Sequence, residues 1–70
     1  MTQSRRLIGL DPGLRNLGWG VIDVSRGKLI HVANGTISSN AKDDLADRLV
    51  QLMRGLEEVF ETHQPEQAAV

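Results

Sequence analysis

Arg6-Leu7-Ile8-Gly9-Leu10-Asp11-Pro12-Gly13 is an apolar run that ends on an acid and a turn. Its length and its Pro-Gly boundary predict a strand, and its lack of apolar/polar alternation predicts burial on both faces. Asp11-Pro12-Gly13-Leu14 fits a tight turn. Proline presets φ at the second position, and glycine can take the positive φ that the third position of a type II turn requires. Asp11 therefore stands at the carboxyl end of the strand.

Working outward, Leu17 to Val24 reads as a second strand, with Leu17, Trp19 and Val21 on one face and Gly18, Gly20, Ile22 and Val24 on the other. Two glycines on one face leave a smooth surface for something to approach closely. Ser25-Arg26-Gly27-Lys28 predicts a hairpin turn. Leu29 to Ile37 gives a third strand, interrupted by Asn34-Gly35, which is read as a bulge or strand-end kink. Leu45, Leu49, Leu52, Met53, Leu56, Val59 and Phe60 have the 3, 4, 7 spacing of one apolar helix face. Ser39 or Asn40 is the expected N-cap, Asp43, Asp44 and Asp47 suit the positive end of the helix dipole, and Pro65 closes the region. Glu66-Gln67-Ala68-Ala69-Val70 begins a fourth strand. The class is α/β with the order β-β-β-α-β and the last strand short. A helix crossing back from an antiparallel meander makes the last strand parallel to the first, which becomes central. Ligands in such sheets gather beyond the carboxyl ends of parallel strands, where Asp11 lies.

At 70 residues the chain is short, since domains commonly run to about 100–150 residues. With no cysteine, it has neither disulfide staples nor zinc-thiolate sites. It is 40% hydrophobic and 24% charged, the profile of a globular chain. No apolar run approaches a membrane span, and the N-terminus is not that of a signal peptide. The net charge of −1 hides an asymmetry. Residues 1–42 carry six Lys or Arg against two Asp, a net of +4, whereas residues 43–70 carry two Arg against seven Asp or Glu, a net of −5. A basic first half suits a polyanion such as DNA, although a solvated surface has the same composition.

Asp11 is the carboxylate to weigh most carefully. Asp-Pro-Gly alone is often only a turn. An acid that ends a buried strand beside a glycine-rich one also suits a hard metal ion such as magnesium, which takes a few carboxylate oxygens and keeps waters for substrate phosphate. A two-metal centre needs more carboxylates than this one. Arg15 follows on the same turn and could neutralise a phosphate. Asp23 reads as a surface acid near a turn, His31 as an ordinary strand histidine and His63 as a helix-end residue favoured by the dipole. Ser38 and Ser39 have no evident base partner, and Trp19 reads as core packing in the hairpin.

The stretch Leu7-Ile8-Gly9-Leu10-Asp11-Pro12-Gly13-Leu14-Arg15-Asn16-Leu17-Gly18-Trp19-Gly20-Val21-Ile22 resembles the N-terminal signature of RuvC-type Holliday junction resolvases. The likeness continues through Asp43-Asp44-Leu45, Arg48-Leu49 and Gln64-Pro65. Leu14 departs from the small hydroxyl residue common at its position. The resemblance implies a ribonuclease-H-like fold, with residues 1–70 forming the N-terminal part of a single nuclease domain. It further implies a cytoplasmic homodimer, two Mg2+ ions, and symmetric nicking of four-way junction DNA in recombination and repair, alongside the RuvA–RuvB branch-migration complex. Of the family's four metal-binding acids, the first maps onto Asp11, which becomes the expected catalytic and metal residue, with Arg15 expected on the DNA. The second is a glutamate that would follow Val70 directly, and the others belong to a C-terminal helix. The 70-residue chain is therefore expected to be an inactive N-terminal piece.

Other nucleases of the same fold share Gly-apolar-Asp-x-Gly. Transposon and guide-directed nucleases are long chains, and the preribosomal RNA processing nuclease usually lacks the proline. Sugar kinase and actin-like ATPases share the β-β-β-α-β order, but Leu14-Arg15-Asn16 lacks their second small residue and threonine for cradling phosphate. A non-catalytic DNA-binding module is the remaining alternative.

Overall fold

A computed structural model describes residues 4–13 and 15–70. Strands β1 (Ser4–Pro12), β2 (Asn16–Ser25) and β3 (Lys28–Ser38) are followed by helix α1 (Leu45–His63) and strand β4 (Gln67–Ala69). The sheet order is β3-β2-β1-β4, with β1 antiparallel to β2 and parallel to β4. The expected order and the interior place of β1 are both present. The body is elongated, 50 × 18 × 15 Å, because the β2–β3 hairpin is long and the core is small. Only Ile8 and Val21, directly paired across β1 and β2, are fully buried among the described residues.

Local chemistry explains the hairpin at the far end. Arg26 and Gly27 both take left-handed backbone (φ 51° and 77°) between the paired Ser25 and Lys28. A two-residue turn with both central residues left-handed matches the right-handed twist of the strands it joins.

The expected turn at Asp11-Pro12-Gly13-Leu14 is displaced. Asp11 and Pro12 still belong to β1, opposite Gly18 and Leu17, and the chain reverses after them, with the Gly13 amide donating to the Asn16 carbonyl at 2.8 Å. Gly27, not Gly13, is the glycine with positive φ. Leu14 lies outside the described residues.

The bulge is displaced as well. Val21 pairs with Ala33 and Ile22 with His31, so Val32 is the extra residue in β3, while Asn34 and Gly35 pair regularly with Gly20 and Trp19. Gly35 has another use. A Cβ there would lie 2.8 Å from the Trp19 ring, so the missing side chain makes room for the indole. Gly55 on α1 does the same for Ile37, whose Cγ2 would stand 2.6 Å from a Cβ, and this sets the close approach of helix to β3.

Helix α1 starts later than Ser39 or Asn40. Its N-cap is Asp44, whose carboxylate accepts from the Asp47 amide at 2.9 Å. Asn40 instead folds the preceding loop: its side-chain oxygen accepts from the Lys42 amide at 3.0 Å, and its own amide donates to Gln51 Oε1 at 2.7 Å. Asp43 accepts from the Gln51 amide group at 2.6 Å. The helix ends at Gln64, left-handed at φ 49°, whose amide returns to the Phe60 carbonyl.

The apolar positions of α1 do not form one buried face. Leu52, Leu56, Val59 and Phe60 are half-buried, whereas Leu45, Leu49 and Met53 are 70%, 52% and 61% exposed. With Gly55 at the contact with the sheet, one flank of the apolar stripe turns inward and the other outward. The predicted burial of β1 on both faces is likewise not observed, since Gly9 and Asp11 are exposed.

Candidate functional site

The two faces of β1 and β2 differ in kind. Trp19 lies on the face that carries α1, with its ring centroid 5.5 Å from that of His63. Side chains alternate along a strand, so Gly18 and Gly20 of β2, together with Gly9 and Asp11 of β1, belong to the opposite face. Added Cβ atoms at Gly9 and Gly20 would meet nothing within 4 Å, and one at Gly18 would meet only Asp11, 3.8 Å from its Cβ. The result is a bare strip of backbone with one carboxylate at its end.

A shallow hollow of about 530 Å³ is lined by these glycines and Asp11, by Leu10, Trp19 and Gly35 between them, and by Ala69, the last residue of β4, with Val70 after it. Among the described residues, Asp11 is its only charged lining residue. β4 reaches this place because its parallel register sets Gln67, Ala68 and Ala69 beside Leu7, Ile8 and Gly9. Arg15 is exposed on the reversal after β1 and is not part of the hollow lining. Among the described residues, no three His, Asp or Glu come together as a metal-binding group. Asp11 thus offers one exposed oxygen donor set, which suits a hard cation as a partial ligand.

The other candidates settle into structural roles. Asp23 is not a simple surface acid. Arg6 grips it with a fork, Nε to Oδ1 at 2.8 Å and Nη2 to Oδ2 at 2.9 Å, across the β1–β2 pair. That hydrogen-bonded pairing holds the Asp23 carboxyl below its ordinary range. The third nitrogen of the fork, Nη1, donates to the His63 carbonyl at 3.2 Å. His63 is therefore fixed by its ring on Trp19 and by its carbonyl on Arg6. His31 is exposed, with its Nε2 3.2 Å from Asn34 Nδ2. Ser38 donates to Asn16 Oδ1 at 2.7 Å, and Ser39 accepts from Arg48 Nε at 3.1 Å. The Arg6–Asp23 pair had no local signal, because its partners are 17 residues apart; only the strand register brings them together.

A central strand that ends in an acid, a three-stranded meander, and a helix leading to a parallel fourth strand define a ribonuclease-H-like α/β fold. The family model described as crossover junction endodeoxyribonuclease RuvC matches residues 7–70, and the chain belongs to that family. It is 53% identical over all 70 residues to the crossover junction endodeoxyribonucleases RuvC of Bartonella quintana and Agrobacterium fabrum, and equally so to that of Parvibaculum lavamentivorans. The chain spans about two fifths of the length of these curated relatives, 40–41%. No solved structure matches. Family membership sets aside the kinase and actin-like alternative.

Proposed function

We propose that residues 1–70 are the N-terminal part of a single ribonuclease-H-like nuclease domain, within an enzyme that nicks four-way DNA junctions in recombination and repair. The observation that carries this reading is Asp11, exposed at the carboxyl end of β1 over a strip without side chains, beside the end of β4. A phosphodiester backbone is bulky and rigidly charged, and a bare floor lets it come close to a metal-bound carboxylate. Asp11 would hold magnesium through its carboxylate oxygens. Magnesium, when bound in such centres, lowers the pKa of a coordinated water and stabilises charge on the departing 3′-oxygen. Arg15, exposed four residues beyond, contacts a phosphate and helps to orient the strand.

One carboxylate is too few for a two-metal site, so its partners come from outside these 70 residues. A β4 ladder that continued in the same register would bring the position after Val70 level with Asp11. The 70-residue chain on its own is accordingly inactive. The intact enzyme works as a homodimer in the cytoplasm, which matches two symmetric nicks on a two-fold junction, and acts with the RuvA–RuvB branch-migration complex. No described helix is long and apolar enough to cross a membrane.

The test is Asp11→Asn in the intact enzyme. Junction binding depends mainly on charge and should persist, while magnesium-dependent cutting should fall to background. Cutting at the wild-type rate would remove Asp11 from the metal site. Separately, magnesium-dependent nicking by the pure 70-residue chain would refute its inactivity.

A further inference from the structure

β4 is only three residues long with each residue exposed, yet its last residue, Ala69, lines the hollow beside Asp11. Three hydrogen-bonded residues at a sheet edge cannot fix their own register firmly. The hydrogen bonds of Arg6 supply what β4 lacks. Its guanidinium grips Asp23 of β2 with two nitrogens and the last helical carbonyl, that of His63, with the third. Its backbone carbonyl accepts from the Glu66 amide at 2.7 Å, one residue before β4 begins. One residue thus holds both ends of the short connection Gln64–Glu66, and β4 pairs with β1 starting at the next position, Leu7. The Arg6 and Asp23 side chains are 35% and 22% exposed, so the clasp is only partly shielded.

We propose that Arg6 is a positioning residue, whose three-way clasp sets the register of β4 against β1 and thereby places the end of β4 beside Asp11. The link to metal chemistry rests on the reading of Asp11 given above; the register itself does not. Lysine cannot replace arginine here, because one ammonium group lacks the planar fork that chelates the Asp23 carboxylate while donating to a second group, the His63 carbonyl.

The experiment is NMR on the intact enzyme as wild type, Arg6→Ala and Arg6→Lys, read by amide exchange and by broadening from added Mn2+. Both variants should lose about tenfold or more of the protection at Glu66 and β4, with the β2–β3 amides little changed. In the wild type, Mn2+ should broaden Asp11, Gly18 and Val70, whereas in both variants Asp11 and Gly18 should broaden without Val70. Unchanged protection at Glu66 in Arg6→Ala would overturn the clasp. Full rescue by Arg6→Lys would reduce it to a charge effect and overturn it equally. Parallel loss of β2–β3 protection would make Arg6 a general stabiliser and also defeat the proposal. If Mn2+ fails to broaden Asp11 in the wild type, the metal reading fails, and the register claim is still decided by Glu66.

Discussion

The two faces of the sheet use glycine for opposite ends. On the helix-bearing face, Gly35 clears room for the Trp19 ring and Gly55 lets α1 settle onto Ile37, so each absent side chain is filled by a neighbour. On the other face, Gly9 and Gly20 leave space that nothing fills, and Asp11 borders it. The same residue type thus tightens packing on one side and keeps a floor clear on the other. The difference lies in what faces each glycine, not in the glycine itself.

The largest effect should come from the covered face. Ile8→Ala removes one of the two side chains fully buried among the described residues and should cost about 2–5 kcal/mol, enough to unfold so small a core. A urea midpoint little changed from wild type would show that the core lies elsewhere. Gly35→Ala should follow, at about 1–3 kcal/mol, because the indole must shift to admit a methyl group. Indole fluorescence should change with it; an unperturbed Trp19 signal and midpoint would contradict the packing described. Asp44→Ala, which removes the helix cap, should cost about 1 kcal/mol, seen as lost helical circular dichroism at its thermal midpoint.

Acid should bring a smaller loss. The Asp23 carboxyl is depressed in the folded chain, so its contribution is complete above its unfolded pKa of about 3.9 and fades as pH falls through the lower folded value. Asp23→Asn should flatten this part of the stability profile, and an unchanged profile would mean that other carboxylates control it. Gly20→Ala, on the bare face, should be smallest, within about 1 kcal/mol of neutral in the 70-residue chain. A loss as large as that at Gly35 would mean that the strip is packed after all.

Much of this was legible in the sequence. The strand of the apolar run, the hairpin glycine between β2 and β3, and the existence of helix α1 each depend on local chemistry, and each is present, although the apolar face of α1 is only partly buried and β1 is not covered on both faces. The family signature depends on the same short stretch. What escaped depends on partners distant along the chain. Asn34-Gly35 looks like a bulge because glycine commonly marks one, but Trp19 on the neighbouring strand is the reason for Gly35, and the extra residue is Val32. Asp44 caps the helix ahead of Ser39 and Asn40 because Asn40 and Asp43 are committed to Gln51 and the loop. Asp23 looked like a surface acid because Arg6 is its neighbour only once the strands align. Near Asp11, the parallel β4 beside the end of β1 was also legible from the element order; only its residue-by-residue register, Leu7 with Gln67 to Gly9 with Ala69, depends on contacts distant along the chain.

The extra residue at Val32 has a consequence for the chain in solution. β3 is an eleven-residue strand at the end of the sheet, with Leu29 and Ile30 exposed at 72% and 52%. A long, straight border of that kind invites another molecule to add its own strand and start a fibre. A two-against-one step bends the strand and sharpens its twist, spoiling the template near its middle. The step at Val32 therefore leaves β3 a poorer template for strand addition than its length alone suggests.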